Sequence, residues 1–563
     1  MNKILFFVPV ILILLMACNN ATTTEAEEST VTTQKNKKIS SRNFSINRSN
    51  SYNDLFLDSM SVEKIIADKK NPDSVADRIR SFYNTRNYQF AWFSGDGLTE
   101  QAFGFWNLYN QYLASTKDTS LNNKTFRKTM NKLVAEDSLF PNSKNKKFID
   151  TEIMLTSQFI RYALMAYEPS YLKRKEMERF VPVVRQDAIH LADSLLNKKH
   201  KDDKYYEKVN PTYGLLKDQL EIYHDIYNEG GWPLIKGKSK SYKKGMKTPE
   251  IAAIKKRLQL TGDMQGRDSS QFFSDSTQSG VKRFQRRHGL TPTGIVDKLT
   301  LRELNVPVLQ RIKQLLINMD RMRWLPQEQD GTMIMVNIPA FTLHVIEGKD
   351  EVFNMDVVVG KEGHNTRIFT GKLSQVVFNP HWNVPRSIVE KEILPEIEKD
   401  PDYLEKENME ITGETEDGLP EIRQKPGAKN ALGEIKFIFP NSYDIYFHDT
   451  PAKSLFKKDK RAFSHGCIRL SKPIQLAQYL LNDQPGWDLS KIKEAMNGDE
   501  EKFVTLKKTV PVLITYYTAW VDEEGVLNFR EDIYDHDLEL SRKMFTDTIN
   551  SSYMLAKKSS KKP

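Results

Sequence analysis

The chain has 563 residues and a net charge of +9. With 39% hydrophobic and 28% charged residues it holds enough apolar material for real cores, which excludes a wholly disordered chain. At about 100–200 residues per domain, three or four domains are predicted. The basic residues are spread along the sequence rather than gathered in a stripe, which argues against a nucleic-acid partner.

At the N-terminus, Lys3 is followed by an apolar run over residues 4–17, ILFFVPVILILLMA. A bilayer span needs about 20 such residues, so the run reads as a secretory signal peptide over 1–17. Leu15, Met16, Ala17 and Cys18 resemble the bacterial lipobox. That resemblance implies cleavage before Cys18 and lipidation of it, hence a lipid-anchored membrane protein of the cell envelope or periplasm. An ordinary signal peptide with an incidental cysteine is the plainer alternative. The second cysteine of the chain is Cys467. With Cys18 acylated, Cys467 is a lone thiol in an exported protein, either reactive or buried and inert. Residues 18–50 are rich in Thr, Ser and Asn, offer almost nothing to bury, and read as a disordered tether.

Residues 51–240 carry a helical pattern. Val62, Ile65 and Ile66 recur at helical spacing, and the run over 148–167 sets Ile149, Ile153, Phe159, Ala163 and Leu164 near one face. The aromatics Tyr88, Phe90, Trp92 and Phe93 read as core rather than as a sugar-binding surface. No catalytic constellation occurs here, so a helical scaffold is expected. Residues 247–307 predict a compact three-helix unit. Pro249 and Glu250 open its first helix, Val281 and Phe284 line the second up to His288 and Gly289, and Asp297 caps the third, with Val296 and Leu301 as staple. The string GVKRFQRRHGLTPTGIVDKLTLREL, residues 280–304, resembles the peptidoglycan-binding domain of envelope hydrolases and transpeptidases. The resemblance implies docking on cell-wall glycan or peptide; a structural spacer is the alternative.

Beyond about 330 the period shortens to two. Phe341, Leu343 and Val345 alternate with Thr342 and His344, and further strands are predicted over 352–359, 437–439, 443–447 and 510–516. Segment 386–432 begins helical and ends polar with glycine, and reads as a cap inserted over the sheet. Residues 330–540 are therefore expected to form one mostly-β domain, followed by a tail over 541–563. The predicted architecture is multidomain α+β.

The chemistry concentrates in Phe447-His448-Asp449-Thr450 and Ala462-Phe463-Ser464-His465-Gly466-Cys467-Ile468-Arg469-Leu470. His448 falls where a strand runs out, and Cys467 is expected just before a helix that Ser471 and Pro473 open. A thiol attacks a carbonyl only as thiolate, and an imidazole can take its proton and return it to a leaving amine. Gly466 lets the backbone approach a reacting carbonyl, so that an N–H beside the nucleophile faces the developing oxyanion. Arg469 is a permanent cation that can lower the thiol pKa, hold a carboxylate or orient the loop. Two histidines compete for the base. His465 shares a face with Cys467 only if the segment is extended; His448, from a neighbouring strand, is the better candidate, leaving His465 to orient the loop or donate a hydrogen bond.

A histidine followed, after a loop, by Ser/Thr-His-Gly-Cys, one residue and Arg or Asn resembles the L,D-transpeptidase catalytic domain. Here those positions are His448, Ser464, His465, Gly466, Cys467 and Arg469. The resemblance implies a sandwich-like β-domain with a Cys nucleophile and a His base, no cofactor, and 3→3 cross-linking of tetrapeptide stems through a thioester with release of D-Ala. The segment 379–385, NPHWNVP, resembles the part of that family lining the donor cleft, which implies substrate contacts for Asn379, His381 and Trp382. The order of scaffold, wall-binding module and capped catalytic domain resembles the large Gram-negative members. Peptidoglycan stems and glycan, and the membrane through the lipid, are the implied partners. Hydrolysis at the same site as an L,D-carboxypeptidase and a non-catalytic wall-tethering lipoprotein remain open. So does zinc on Cys467, His465 and His448, although no Cys-x-x-Cys or His-Glu-x-x-His accompanies them.

Overall fold

The computed structural model describes residues 39–68, 72–116, 119–136, 139–166, 177, 180–197, 211–324 and 331–546. The signal peptide, Cys18, most of the expected tether and residues 547–563 lie outside them. Residues 40–50, assigned to the tether by composition, are folded against the helical region. Ile46 is 1% exposed, the Asn43 amide donates to the Asn84 carbonyl at 2.9 Å, and Asn87 Nδ2 donates to the Ile46 carbonyl at 2.7 Å. One apolar side chain and a few asparagine turns are enough to dock a polar segment.

Helices Ser59–Asp68, Asp73–Thr85, Glu100–Ser115, Lys124–Ala135 and Lys146–Ala166 surround an aromatic core. Trp92 meets Phe105 and Phe159 at centroid distances of 5.6 and 5.4 Å, so the aromatic run is core, as its spacing predicts. Leu164 is the exception on its helix: it faces solvent. Glu152 sits inside this core, accepting from the Ala91 and Trp92 amides at 2.6 and 2.9 Å, and burial pushes its carboxyl up to about 7.

The rest of the helical region belongs to a second core. Helices Ala188–Leu196 and Pro211–Asn228 pack on Val308–Met322 together with the hairpin Ala519–Val521/Leu527–Phe529 and the helix His536–Met544. That last helix and Phe545 are buried there, so the chain stays packed to 546 rather than fraying from 541. The three-helix unit comprises Pro249–Leu260, Asp275–Arg287 and Lys298–Leu304 around Ile251, Ile254, Leu258, Val281 and Phe284. Asp297 accepts from the Thr300 amide at 2.8 Å, as an N-cap should.

The mostly-β domain is a sheet of nine described strands: β1 Thr332–Asn337, β2 Thr342–Glu347, β3 Asp350–Gly360, β4 Phe369–Phe378, β5 Ile435–Ile438, β6 Phe447–His448, β7 Ala462–Ser464, β8 Ile468–Leu470 and β9 Lys502–Thr515. The spatial order is β7-β3-β8-β6-β5-β4-β9-β1-β2, and β2 also pairs with β3, so the sheet returns on itself around one apolar core. β1, β4, β7 and β8 add four strands to those predicted from alternation. The cap over 386–432 begins with short helical turns, as expected. It continues as a hairpin, Met409–Glu414 with Pro420–Gln424, to which Trp382–Asn383 adds a third strand.

Candidate active site

Parallel β6 and β8 place Phe447 opposite Ile468 and His448 opposite Arg469, and antiparallel β5 places Lys436 opposite His448. Phe437, Phe447 and Ile468 are fully buried in the sheet core. Side chains alternate along a strand, so Lys436, Tyr446, His448, Cys467 and Arg469 share the other face. The Ile468 amide donates to the Tyr446 carbonyl at 3.2 Å, which carries the ladder back to Cys467. Cys467 therefore enters a strand, not the helix expected to follow it; that helix, Pro473–Leu481, starts after β8.

Cys467 is half-buried. Its thiol donates to the Asp444 carbonyl at 3.6 Å and lies against Tyr446. Burial pushes the thiol up, outweighing the hydrogen bonds from Tyr446 and the nearby charge of Lys436. The net shift is thus opposite to the lowering that a neighbouring cation such as Arg469 suggests. His448 is buried, with Nδ1 2.5 Å from the Asp449 carbonyl. A carbonyl only accepts, so Nδ1 carries the proton toward Asp449, and the Leu432 backbone also bonds the imidazole. Burial first, then Arg469 and Lys436, pull the imidazole down to about 3. At neutral pH both groups rest uncharged.

The turn before the sulfur is clamped from several sides. Gly466 has φ +119°, a conformation that glycine adopts freely. Ser464 Oγ donates to the Cys467 carbonyl at 2.5 Å and accepts from the Gly466 amide at 3.2 Å. Gly360 packs beneath: a Cβ there would lie 1.9 Å from the His364 carbonyl oxygen and 3.1 Å from Gly466 Cα. The turn at Gly466 parts the two histidines' roles. His465 Nε2 is 2.7 Å from Glu392 Oε1 of the cap and 3.3 Å from Lys361 Nζ, joining cap to loop. Among the described residues no group of three His, Cys, Asp or Glu side chains gathers to hold a metal ion.

Between the cap and the sheet lies a cavity of about 640 Å³, bordered by Trp382, Lys391, Glu392, Tyr403, Thr450 and Arg469. Arg469 Nε is buried there without a partner. Trp382 borders the cavity and hydrogen-bonds Tyr446. Asn379 and His381 are engaged elsewhere. Asn379 Nδ2 donates to the Gly498 carbonyl at 2.5 Å, and His381 bonds Glu501 through its amide and Nδ1 at 3.1 and 3.3 Å. Tyr446, Lys436 and Asp444 are residues that motif reading passed over. The period of two running back from His448 through Tyr446 to Asp444 was the available signal.

Residues 331–512 match the family described as L,D-transpeptidase catalytic domain, 77–220 the scaffold domain, and 247–304 the "Putative peptidoglycan binding domain". Residues 331–512 are similar in sequence to the L,D-transpeptidase catalytic domain. The chain is 32% identical over 244 residues to a protein of Haemophilus influenzae named "Putative L,D-transpeptidase", a match over 41% of this chain and 49% of that one. The chain thus spans about half the length of this curated relative. Solved L,D-transpeptidases resemble it distantly. That of Stackebrandtia nassauensis is 16% identical, over 49% of this chain and 96% of its own, with a TM-score of 0.21. That of Xylanimonas cellulosilytica is 15% identical, over 50% and 99%, with a TM-score of 0.16. All five co-facial residues fall inside the L,D-transpeptidase match, and the scaffold match runs across two of the cores described above.

Proposed function

We propose that this protein is a peptidoglycan L,D-transpeptidase of the cell envelope, lipid-anchored through Cys18, forming 3→3 cross-links with Cys467 as nucleophile and His448 as base and acid. The observation that supports this reading is the strand register, which pairs His448 with Arg469, two residues past Cys467. His448 Nε2 takes the thiol proton as Sγ attacks the carbonyl of stem residue three. An N–H beside the nucleophile faces the oxyanion. Collapse breaks the C–N bond to D-Ala, whose amine leaves with the proton from His448, and a thioester remains. The side-chain amine of a second stem then attacks the thioester, passes a proton to His448 and displaces the thiolate, which recovers that proton. An imidazole held near 3 is a weak base, so proton removal is concerted with attack rather than complete beforehand. The unpartnered Arg469 Nε offers a donor for a stem carboxylate. The cap restricts water at the thioester, which favours an amine as acceptor.

Incubation with tetrapeptide muropeptides tests this reading by product mass. Cross-linked dimers with release of D-Ala are expected, and neither product from Cys467→Ala. Tripeptides alone would establish the hydrolytic carboxypeptidase instead. A carbapenem, whose lactam carbonyl stands in for the donor amide, is expected to add its mass to the wild-type protein and not to the variant. An unmodified wild-type mass would overturn the assignment of Cys467.

A further inference from the structure

A second cavity, about 620 Å³, opens between the scaffold helices and strands β4 and β9, well within the roughly 300–1,000 Å³ of small-ligand sites. Its scaffold wall is chemically odd. On the helix Glu100–Ser115, Asn107, Asn110 and Gln111 stand at i, i+3 and i+4, and on Lys124–Ala135, Arg127 and Asn131 stand at i and i+4. These spacings put each set on one helix face. A helix face that closes on another domain usually carries apolar side chains, and this one carries carboxamides. Gln111 Oε1 is shut from solvent and has no hydrogen-bond partner.

The opposite wall is built to match. Thr370, Ser374, Ser442 and Thr509 supply hydroxyls and Tyr443 an aromatic ring, while Trp106 adds a ring from the scaffold side. Among the described residues bordering the cavity none is acidic, while Arg127 and Lys372 are cationic. The two walls are tied together: the Thr370 amide donates to Asn107 Oδ1 at 3.3 Å and Lys372 Nζ to the Ala114 carbonyl at 3.1 Å. The width of the groove is therefore fixed.

We infer that this groove binds the sugar backbone of the wall polymer, an N-acetylated polysaccharide. The inference rests on the proposed peptidoglycan activity and adds a glycan site to it. A sugar ring presents a rim of neutral hydroxyl and acetamido groups and apolar C–H faces. Carboxamides, hydroxyls and aromatic rings answer those features without buried charge. A stem peptide is the poorer fit, because its free amine would meet no carboxylate here. The position supports the same occupant. Asn441, Ser442 and Tyr443 form one border, and the next residue is Asp444, whose carbonyl receives the Cys467 thiol. A glycan strand in the groove holds its attached stems beside the nucleophile.

The test is calorimetric titration of the full chain carrying Cys467→Ala with a peptide-free tetramer of N-acetylglucosamine, so its outcome does not depend on acyl transfer. Asn110→Ala/Gln111→Ala is expected to weaken this binding about tenfold or remove one of two classes of site, the other belonging to the three-helix unit. Asn131→Ala is an independent variant on the second helix and is expected to act in the same direction. Both changes lie outside the core, and unchanged thermal unfolding is the control. Affinity and stoichiometry unaltered in both variants overturn the inference. So does displacement of the tetramer by free tetrapeptide rather than by longer sugar oligomers.

Discussion

Thr366 Oγ1 donates to the Gly466 carbonyl at 2.7 Å, and this bond fixes the residue before Cys467. The same oxygen accepts from the Gly360 amide at 2.9 Å, so one buried hydroxyl ties a strand to the turn at Gly466. Thr366→Val keeps the shape and removes both bonds. Leaving two buried groups unpaired costs about 1–3 kcal/mol each before relaxation. A lower denaturation midpoint and a slower acylation rate are expected, and Thr366→Ser is expected to restore both.

Gly360→Ala tests the same turn from below. The added methyl would overlap the His364 carbonyl and crowd Gly466 Cα, both backbone groups that cannot rotate away. The turn must move, so carbapenem acylation of Cys467 is expected to slow at least about tenfold even where the variant remains folded. Intact-mass time courses give the rate, and circular dichroism the fold.

The pH dependence follows from burial. His448 is held at about 3 and the thiol is pushed up, so neither titrates near neutrality. The rate constant for acylation is expected to be level from about pH 5 to 8, without the inflection near 6.5 of an ordinary histidine. Lys436→Met removes a positive neighbour and is expected to raise the imidazole pKa, bringing an acid limb into view. Stability has a definite sign too. Between about 3 and 6.5 the unfolded chain binds the His448 proton and the folded chain does not, so this residue's contribution to stability rises with pH across that window. Proton-linked unfolding of wild type beside His448→Gln measures it.

Arg321 joins the helices Glu100–Ser115 and His536–Met544. Its Nε meets Glu100 Oε1 at 3.0 Å and its Nη1 meets Asp537. Burial already pushes Glu100 up to about 7 and raises Asp537. Arg321→Met strands both carboxylates, at a cost of about 3–5 kcal/mol. Because their folded pKa values rise further above the unfolded ones, the loss is expected to grow as pH increases. Denaturant unfolding at pH 6 and pH 8.5 checks both size and sign.

Much of this arrangement could be read along the chain. The scaffold aromatics and the three-helix unit follow from local spacing. β1 was not legible, because TMIMVN places Met333 and Met335 on its half-buried face and alternation fails. β4 was hidden by Gly371 and Lys372 inside FTGKLSQVVF. The cap hairpin buries little beyond Ile422 and Gln424, so no apolar period announced it. Arg321 with Glu100 and Asp537, and Asn379 with Gly498, join positions more than a hundred residues apart, which no local pattern reports.

The alternation along β8 ties reactivity to stability in a way that resists gradual change. Moving that strand by a single residue against β6 would swing Cys467 and Arg469 inward and turn Ile468 and Leu470 out to water. The parity that aims the sulfur is the parity that closes the hydrophobic interior. Small insertions or deletions between His448 and Cys467 are therefore confined to the intervening loop, where they leave the phase of both strands intact.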